Sequence, residues 1–202
     1  MPAHVIVLSG PSGSGKSRLS RRLGLPVLNL DDFYRSGSDP VLPRLPTGLV
    51  DWDDPSSWLH DEALAAVDTL CREGTAEVPV YDIARDGRVG VRTVRLGPAA
   101  YFVAEGIFAQ EIVGECRARG LLADAICVRH HRLVTFWLRL VRDLQEHRKP
   151  PLVLLRRGLA LLRAEPRVVA HAVSRGCTPM TPEQAYRRIT GRIIGRAGRT
   201  PV

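Results

Sequence analysis

Residues 10–17 read GPSGSGKS and fit the pattern G-x-x-x-x-G-K-[ST] at every fixed position. A buried-strand pattern at residues 4–9 precedes them and a helix-compatible segment at 16–23 follows, which argues against an accidental glycine-rich turn. In this pattern backbone N–H groups surround phosphates, the lysine reaches the outer phosphates, and the serine hydroxyl binds Mg²⁺. The stretch therefore predicts a site for ATP and Mg²⁺. Its predicted ATP-binding residues are Gly10, Ser12, Gly13, Ser14, Gly15, Lys16 and Ser17.

Apolar runs and helical patterns alternate along the rest of the chain. The predicted strands are residues 4–9, 27–30, 101–104, 125–128 and 168–173. The predicted helices are residues 16–23, 58–72, 133–147, 152–162 and 183–194. The alternation predicts an α/β fold, the three-layer α/β/α arrangement of P-loop NTPases with a mainly parallel five-stranded sheet.

The length of 202 residues suits one domain, residues 1–202. Within it we expect a β-hairpin insertion at about 78–97, a helical lid insertion at about 139–165 and a frayed tail at 195–202. The irregular segment 36–57 is rich in Ser, Gly, Asp and Pro, and long loops in compact domains often carry function.

Composition limits the partners that the chain can have. The net charge of +8 attracts polyanions, but the arginines are scattered and no nucleic-acid-reading motif is present, so no nucleic-acid partner is expected. The four cysteines lack CxxC spacing, which is typical of reduced thiols and predicts a cytoplasmic protein. No apolar stretch approaches the roughly 20 residues of a membrane span, so no membrane partner is expected. A homo-oligomer is compatible with the sequence.

Two carboxylates, Asp31 and Asp32, follow the predicted strand 27–30. Ligands bind at the carboxyl ends of strands in open α/β sheets, and phosphoryl transfer to an alcohol needs a carboxylate near the attacking hydroxyl. Asp31 and Lys16 are therefore candidate catalytic residues. Asp32 could equally be a turn or helix cap. A guanine-reading Asn-Lys-x-Asp motif is excluded, because neither Lys16 nor Lys149 follows an asparagine.

Five further segments follow the loop in one order. They are LDDFYR at 30–35, DWDDP at 51–55, VPVYD at 78–82, VAEGI at 103–107 and RLVRD at 139–143. Together they resemble the uridine kinase family (uridine–cytidine kinases) of P-loop kinases. The resemblance implies transfer of the ATP γ-phosphate to a small-molecule acceptor, a nucleoside hydroxyl.

The resemblance also implies roles for single residues. Asp31 falls on the family's general base, and Tyr34 on the tyrosine beside it. Asp53 falls on the aspartate that holds the ribose hydroxyls, with Trp52 before it, and Tyr81 on a tyrosine near the base. Trp52 and Tyr81 could instead be core aromatics.

Glu105 falls on the family's glutamate near Mg²⁺, which together with Ser17 makes up the expected metal site. Arg139 and Arg142 fall on lid arginines that clamp the phosphates, although helix arginines are as often solvated. Arg175 is the remaining candidate for ATP binding.

The chain departs from the family in two places. Asp86 stands about where the family has a base-reading histidine, and a carboxylate accepts rather than donates hydrogen bonds. Residues 147–149, HRK, replace an Arg-Gly-Arg of the lid. Two alternatives therefore stay open: a kinase of this fold acting on pantothenate, nicotinamide riboside or a sugar phosphate, and an ATP-binding regulator without a small-molecule acceptor.

Overall fold

Seven strands and five helices occupy the residues that the structure, a computed structural model, describes: 2–129 and 166–197. The strands are β1 (His4–Ser9), β2 (Val27–Asn29), β3 (Thr75–Asp82), β4 (Gly87–Arg95), β5 (Tyr101–Glu105), β6 (Leu122–Val128) and β7 (Thr178–Met180). The helices are α1 (Lys16–Leu23), α2 (His60–Glu73), α3 (Val113–Ala118), α4 (166–174) and α5 (Pro182–Ala197).

Five strands form one sheet in the order β2-β5-β1-β6-β7, and each neighbouring pair is parallel. Side chains of β1 alternate between its two faces. Val5 and Val7 pack in the core cluster that includes α2 and α3, whereas Ile6 and Leu8 pack in the cluster that includes α1 and α5. Because both faces are covered, the strand is apolar throughout. The predicted three-layer α/β/α fold is confirmed.

The hairpin of β3 and β4 forms a separate antiparallel sheet. It spans residues 75–95, so it begins three residues earlier than the predicted insertion. The loop 36–57 is largely irregular, as predicted, with one 3₁₀ turn at Pro55–Ser57. Tyr34 and Trp58, which flank the loop, form a β-bridge. The loop therefore starts and finishes beside the end of β2.

The predicted strand at 168–173 is wrong: residues 166–174 are helical, and the last strand is β7. Three valines in that segment suggested a strand, but the buried side chains recur with a helical period. Val169 packs against the core and Ala172 is fully buried, three residues apart, while Val173 is 45% exposed. At three residues, one of them Pro179, β7 is too short for its pattern to be seen in the sequence.

Other boundaries shift by a few residues. Helix α2 begins at His60, since Trp58 is held in the bridge with Tyr34, and α5 continues to Ala197, into the predicted tail. The predicted lid 139–165 and the predicted helices 133–147 and 152–162 lie outside the described residues. The predicted reduced cysteines Cys71, Cys116, Cys127 and Cys177 are free and buried. Among the helices of the described ranges, none has the length and apolarity of a membrane span.

Candidate active site

The loop between β1 and α1 has a backbone that suits an anion. Gly10, Gly13 and Gly15 all have positive φ angles, of 129°, 77° and 92°. Gly15 is the N-cap residue of α1 and has no side chain to satisfy the helix N–H groups, and the first turn holds no acidic residue. A helix N-terminus with unoccupied N–H groups attracts phosphate oxygens.

Packing explains why residue 10 has to be a glycine. A Cβ atom at Gly10 would overlap the backbone carbonyl of Val128 at the end of β6. The loop therefore lies directly against the neighbouring strand end, and Ser14 is buried with a hydroxyl that has no hydrogen-bond partner among the described residues. A buried polar atom without a partner, in a loop of this backbone shape, fits a phosphate ligand.

The Lys16 side chain folds back over this loop. Its Nζ donates to the carbonyl oxygens of Gly10 at 2.7 Å and Pro11 at 3.3 Å. The ammonium group therefore lies at the phosphate loop itself. Ser12 and Ser17 are exposed at the same loop, and Ser17 is in the first turn of α1.

Asp31 lies in the 3₁₀ turn Leu30–Phe33 that directly follows β2. Its Oδ1 accepts a hydrogen bond from the Ile107 N–H at 2.9 Å, in the loop after β5. Burial raises the pKa of Asp31, and the charges of Glu105 and Asp32 raise it too, whereas the Ile107 hydrogen bond and the charge of Lys16 lower it. Asp31, Lys16 and Glu105 are therefore close enough to interact electrostatically at one edge of the sheet.

The position of Asp31 depends on Gly106. A Cβ atom at Gly106 would lie 2.9 Å from Asp31 Oδ1 and 2.9 Å from Leu30 Cβ. We therefore expect Gly106→Ala to displace the turn and to reduce the free energy of unfolding by about 1–3 kcal/mol, the usual range for overpacking.

Urea denaturation followed by far-UV circular dichroism measures the loss caused by Gly106→Ala. The matched control is Gly114→Ala in α3, where an added Cβ atom has no heavy atom within 4 Å. Equal stability of the two variants would contradict the close approach of Gly106 and Asp31.

Glu105 is the last residue of β5, beside Leu8 of β1 and Asn29 of β2. Its Oε2 accepts a hydrogen bond from the Ser20 hydroxyl at 2.9 Å. A carboxylate at a strand end and the Ser17 hydroxyl are oxygen ligands of the kind that Mg²⁺ prefers. No group of three or more His, Cys, Asp or Glu side chains within the described ranges could hold a metal ion.

Three of the predicted substrate residues form one aromatic cluster. The Tyr34 ring lies 5.8 Å from the Trp52 ring and 5.8 Å from the Tyr81 ring, and Trp52 and Tyr81 are 6.5 Å apart. The Tyr34 hydroxyl donates to the Trp52 carbonyl oxygen at 3.2 Å. Burial raises the pKa of Tyr34, and the charges of Asp31 and Asp53 raise it further. The cluster thus lies beside Asp31 and Asp53.

Asp86 forms the turn of the hairpin, in the left-handed conformation with φ 46°. Its carbonyl oxygen accepts a hydrogen bond from the Gly37 N–H at 2.6 Å, which joins the hairpin turn to the loop 36–57. Burial raises the pKa of Tyr81, and the charge of Asp86 raises it further. Asp86 is therefore near the aromatic cluster, on its hairpin side.

The remaining predicted residues are not at this site or are not described. Arg175 Nη2 lies 2.9 Å from Glu111 Oε2, so in this conformation its guanidinium pairs with a residue of the 3₁₀ turn Ala109–Ile112, which precedes α3. Its role in ATP binding stays a prediction. Arg139 and Arg142, the predicted lid arginines, lie outside the described residues.

Sequence reasoning missed Arg92 and the role of Asp32. Asp32 caps no helix, since the side chain of Asn29 caps the turn. Instead Asp32 Oδ1 accepts from the Tyr81 N–H at 3.4 Å, and Oδ2 pairs with Arg92 Nη2 at 3.3 Å. Residues 32 and 92 are far apart in sequence, and no motif marks Arg92.

No protein-family model matches the chain. In sequence it is 29% identical over 110 residues to inorganic pyrophosphatase TTM2 of Arabidopsis thaliana and 26% identical over 113 residues to uridine kinase of Saccharomyces cerevisiae. Each match covers 52% of this chain but only 15% and 23% of the two relatives, so the chain spans a small part of their length.

Two solved structures have a similar fold. A proposed fructose transport system kinase from Silicibacter sp. TM1040 has a TM-score of 0.62 at 21% identity, over 84% of this chain and 85% of that one. A proposed uridine kinase from Bacillus stearothermophilus has a TM-score of 0.51 at 18% identity, over 89% of each chain. The chain has the fold of these two structures, and its resemblance to uridine kinases is confirmed.

Proposed function

We propose that the chain is a small-molecule kinase that transfers the γ-phosphate of ATP to a nucleoside hydroxyl, the 5′-hydroxyl of uridine or cytidine. The observation that supports this most directly is the position of Asp31. Its carboxylate lies at the edge of the sheet that carries the phosphate loop, fixed by the Ile107 N–H and within electrostatic reach of Lys16.

Asp31 accepts the proton of the attacking hydroxyl in this proposal. A base has to be ionised to act, and the charge of Lys16 and the hydrogen bond from Ile107 both favour the ionised form. Burial opposes ionisation, and a carboxylate with a raised pKa is the stronger base. Lys16 exchanges its contacts with the loop carbonyls for the outer phosphates of ATP, where it neutralises charge.

Ser17 and Glu105 would hold Mg²⁺, which neutralises phosphate charge when it is bound. The Ser20 hydroxyl donates to Glu105 and so holds the carboxylate beside α1, the helix that also carries Ser17. Arg139 and Arg142 close over the phosphates in this proposal and exclude water, the competing acceptor.

The acceptor binds on the hairpin side of Asp31. Asp53 holds neighbouring sugar hydroxyls through charge-assisted hydrogen bonds, and the cluster of Tyr34, Trp52 and Tyr81 contacts the base. Asp86 lies beside this cluster. Its carboxylate can only accept hydrogen bonds, which suits a nucleoside base whose ring presents an N–H donor.

An acceptor screen tests the proposal. The purified protein is incubated with ATP, Mg²⁺ and each of uridine, cytidine, the other nucleosides, pantothenate, nicotinamide riboside and ribulose 5-phosphate. ADP formation is compared with a sample without acceptor and with the Lys16→Ala variant. Pyrophosphate forms a further arm, because two sequence relatives are named inorganic pyrophosphatases.

Stimulation by uridine or cytidine would support the proposal as stated. Stimulation by another alcohol alone would retain the kinase and remove the nucleoside. ATP binding without stimulation by any acceptor would instead favour a nucleotide-dependent regulator, and phosphate release from pyrophosphate alone would favour a hydrolase.

A further inference from the structure

Asp31 and Asp32 are adjacent in one 3₁₀ turn, yet they contact different parts of the molecule. The Asp31 side chain bonds to the loop after β5, whereas the Asp32 side chain bonds to the hairpin, through the Tyr81 N–H on β3 and Arg92 on β4. One dipeptide therefore joins the edge of the main sheet to the separate two-stranded sheet.

The geometry makes Asp32 a poor proton acceptor for a substrate. It is 8% exposed, and each of its two carboxylate oxygens already accepts a hydrogen bond. Arg92 Nη2 lies 3.3 Å away from Oδ2, and the Arg92 side chain is 40% exposed. A largely buried carboxylate is costly to leave unpaired, so removal of the Arg92 side chain is expected to destabilise this contact region.

The contact occurs where the hairpin is irregular. The pairing of β3 with β4 shifts register between Val80 and Tyr81, next to the N–H group that Asp32 accepts. A register shift changes the twist of a strand and redirects the side chain that follows it. Here that side chain is Tyr81, whose ring contacts Tyr34 and Trp52.

We propose that Asp32 and Arg92 form a positioning pair that holds the hairpin, and with it Tyr81 and Asp86, in fixed relation to Asp31. The functional effect of the pair rests on the proposed function: the pair sets the distance between the bound acceptor and Asp31, the proposed base. In the described part of the chain, the pair has no contact with the phosphate loop, because that loop follows β1 whereas Asp32 follows β2.

The first test is the kinetics of Arg92→Gln. We expect KM for the nucleoside acceptor to rise about tenfold, the usual scale for losing a hydrogen bond to a charged group, with KM for ATP within about twofold of the wild type. Arg92→Lys retains the charge and should return KM for the acceptor to within about threefold.

Arg88→Gln is the matched control. Arg88 lies on the same strand and forms an ion pair of 2.7 Å with Glu62 of α2, so it also joins the hairpin to the main domain, but not through Asp32. A positioning role at Asp32 predicts a change in KM for Arg92→Gln alone. Equal changes in the two variants would overturn it, because general loosening of the hairpin would then be sufficient.

A double-mutant cycle of Asp32→Asn and Arg92→Gln measures the pair itself. Coupled residues give a double variant whose KM for the acceptor is close to that of the worse single variant, whereas independent residues give multiplied effects. Multiplied effects would overturn the pair as the unit that positions the hairpin.

Hydrogen exchange separates this proposal from the kinase proposal. Amides of residues 75–95 should exchange about tenfold faster in Arg92→Gln than in Arg88→Gln, with no change at residues 10–17. This holds whether or not any acceptor is turned over. A wild-type protein without acceptor-dependent turnover would therefore refute the proposed function, while unchanged exchange in Arg92→Gln would refute the pair.

Discussion

Replacement of Lys16 by alanine is expected to lower acceptor-dependent ADP formation by about 1,000-fold or more, to the background of a coupled assay. Lys16 Nζ lies at the carbonyl oxygens of Gly10 and Pro11, directly at the loop that is proposed to hold the phosphates. Removal of one preorganised donor from developing charge typically costs a factor of 10²–10³, and here a full positive charge is lost as well. Isothermal titration calorimetry should show weakened ATP binding in the same variant.

Arg18→Ala is the matched control for Lys16→Ala. It removes a positive charge from an exposed position of the same helix, two residues further along, and should leave turnover within about twofold of the wild type. Turnover of Lys16→Ala within tenfold of the wild type would contradict the phosphate role of the loop. An equal loss of turnover in Arg18→Ala would mean that the sum of positive charge around α1 matters more than the position of one ammonium group.

The phosphate loop could be predicted from the sequence because its determinants are contiguous. The strand, the glycines and the helix lie within residues 4–23, and each is set by local backbone preferences. Asp31 and Glu105 lie at the same end of the sheet because β2 and β5 are parallel. Topology predicted this place for Asp31, whereas Glu105 was predicted from the family resemblance.

Contacts between elements could not be predicted in this way. The Asp32–Arg92 pair needs both the register of the hairpin and its orientation on the domain, and neither follows from residue spacing. Arg175 is similar: its pairing with Glu111 depends on α4, a segment whose valines suggested a strand. Local propensity is a weak guide where tertiary packing decides the outcome.

Asparagine at position 31 is expected to reduce transfer by about 100-fold or more, the usual scale for losing acid–base help, while ATP binding is largely retained. The amide oxygen of asparagine can still accept the Ile107 hydrogen bond, so the turn should stay in place. In the wild type, kcat/KM should fall on the acid side as Asp31 is protonated. Because its pKa is raised, that fall occurs at higher pH than for an ordinary carboxylate. The fall should be absent in Asp31→Asn.

The same substitution should raise the melting temperature at neutral pH. Burial is the largest cause of the raised pKa of Asp31, so the folded state binds its proton more tightly than the unfolded state does. The protonated Asp31 side chain contributes its full stabilisation at pH values below the pKa that it has in the unfolded chain. This contribution is lost as the pH rises through the pKa of Asp31 in the folded state, and an asparagine, which does not ionise, avoids the loss. The two melting temperatures should converge as pH falls toward about 4.

Asp39→Asn, in the loop 36–57, is expected to change the melting temperature in the opposite direction. The Val41 N–H and Arg35 lower the pKa of Asp39, so its ionised form stabilises the fold above the unfolded pKa and asparagine should lower the melting temperature at neutral pH. A rise for Asp31→Asn together with a fall for Asp39→Asn means that the fold holds the Asp31 carboxylate at a cost in stability. A contribution to stability does not explain an aspartate at position 31, whereas a role as the base for the acceptor hydroxyl does. A fall for both variants, with transfer retained in Asp31→Asn, would make Asp31 a structural carboxylate and leave the reaction without its base.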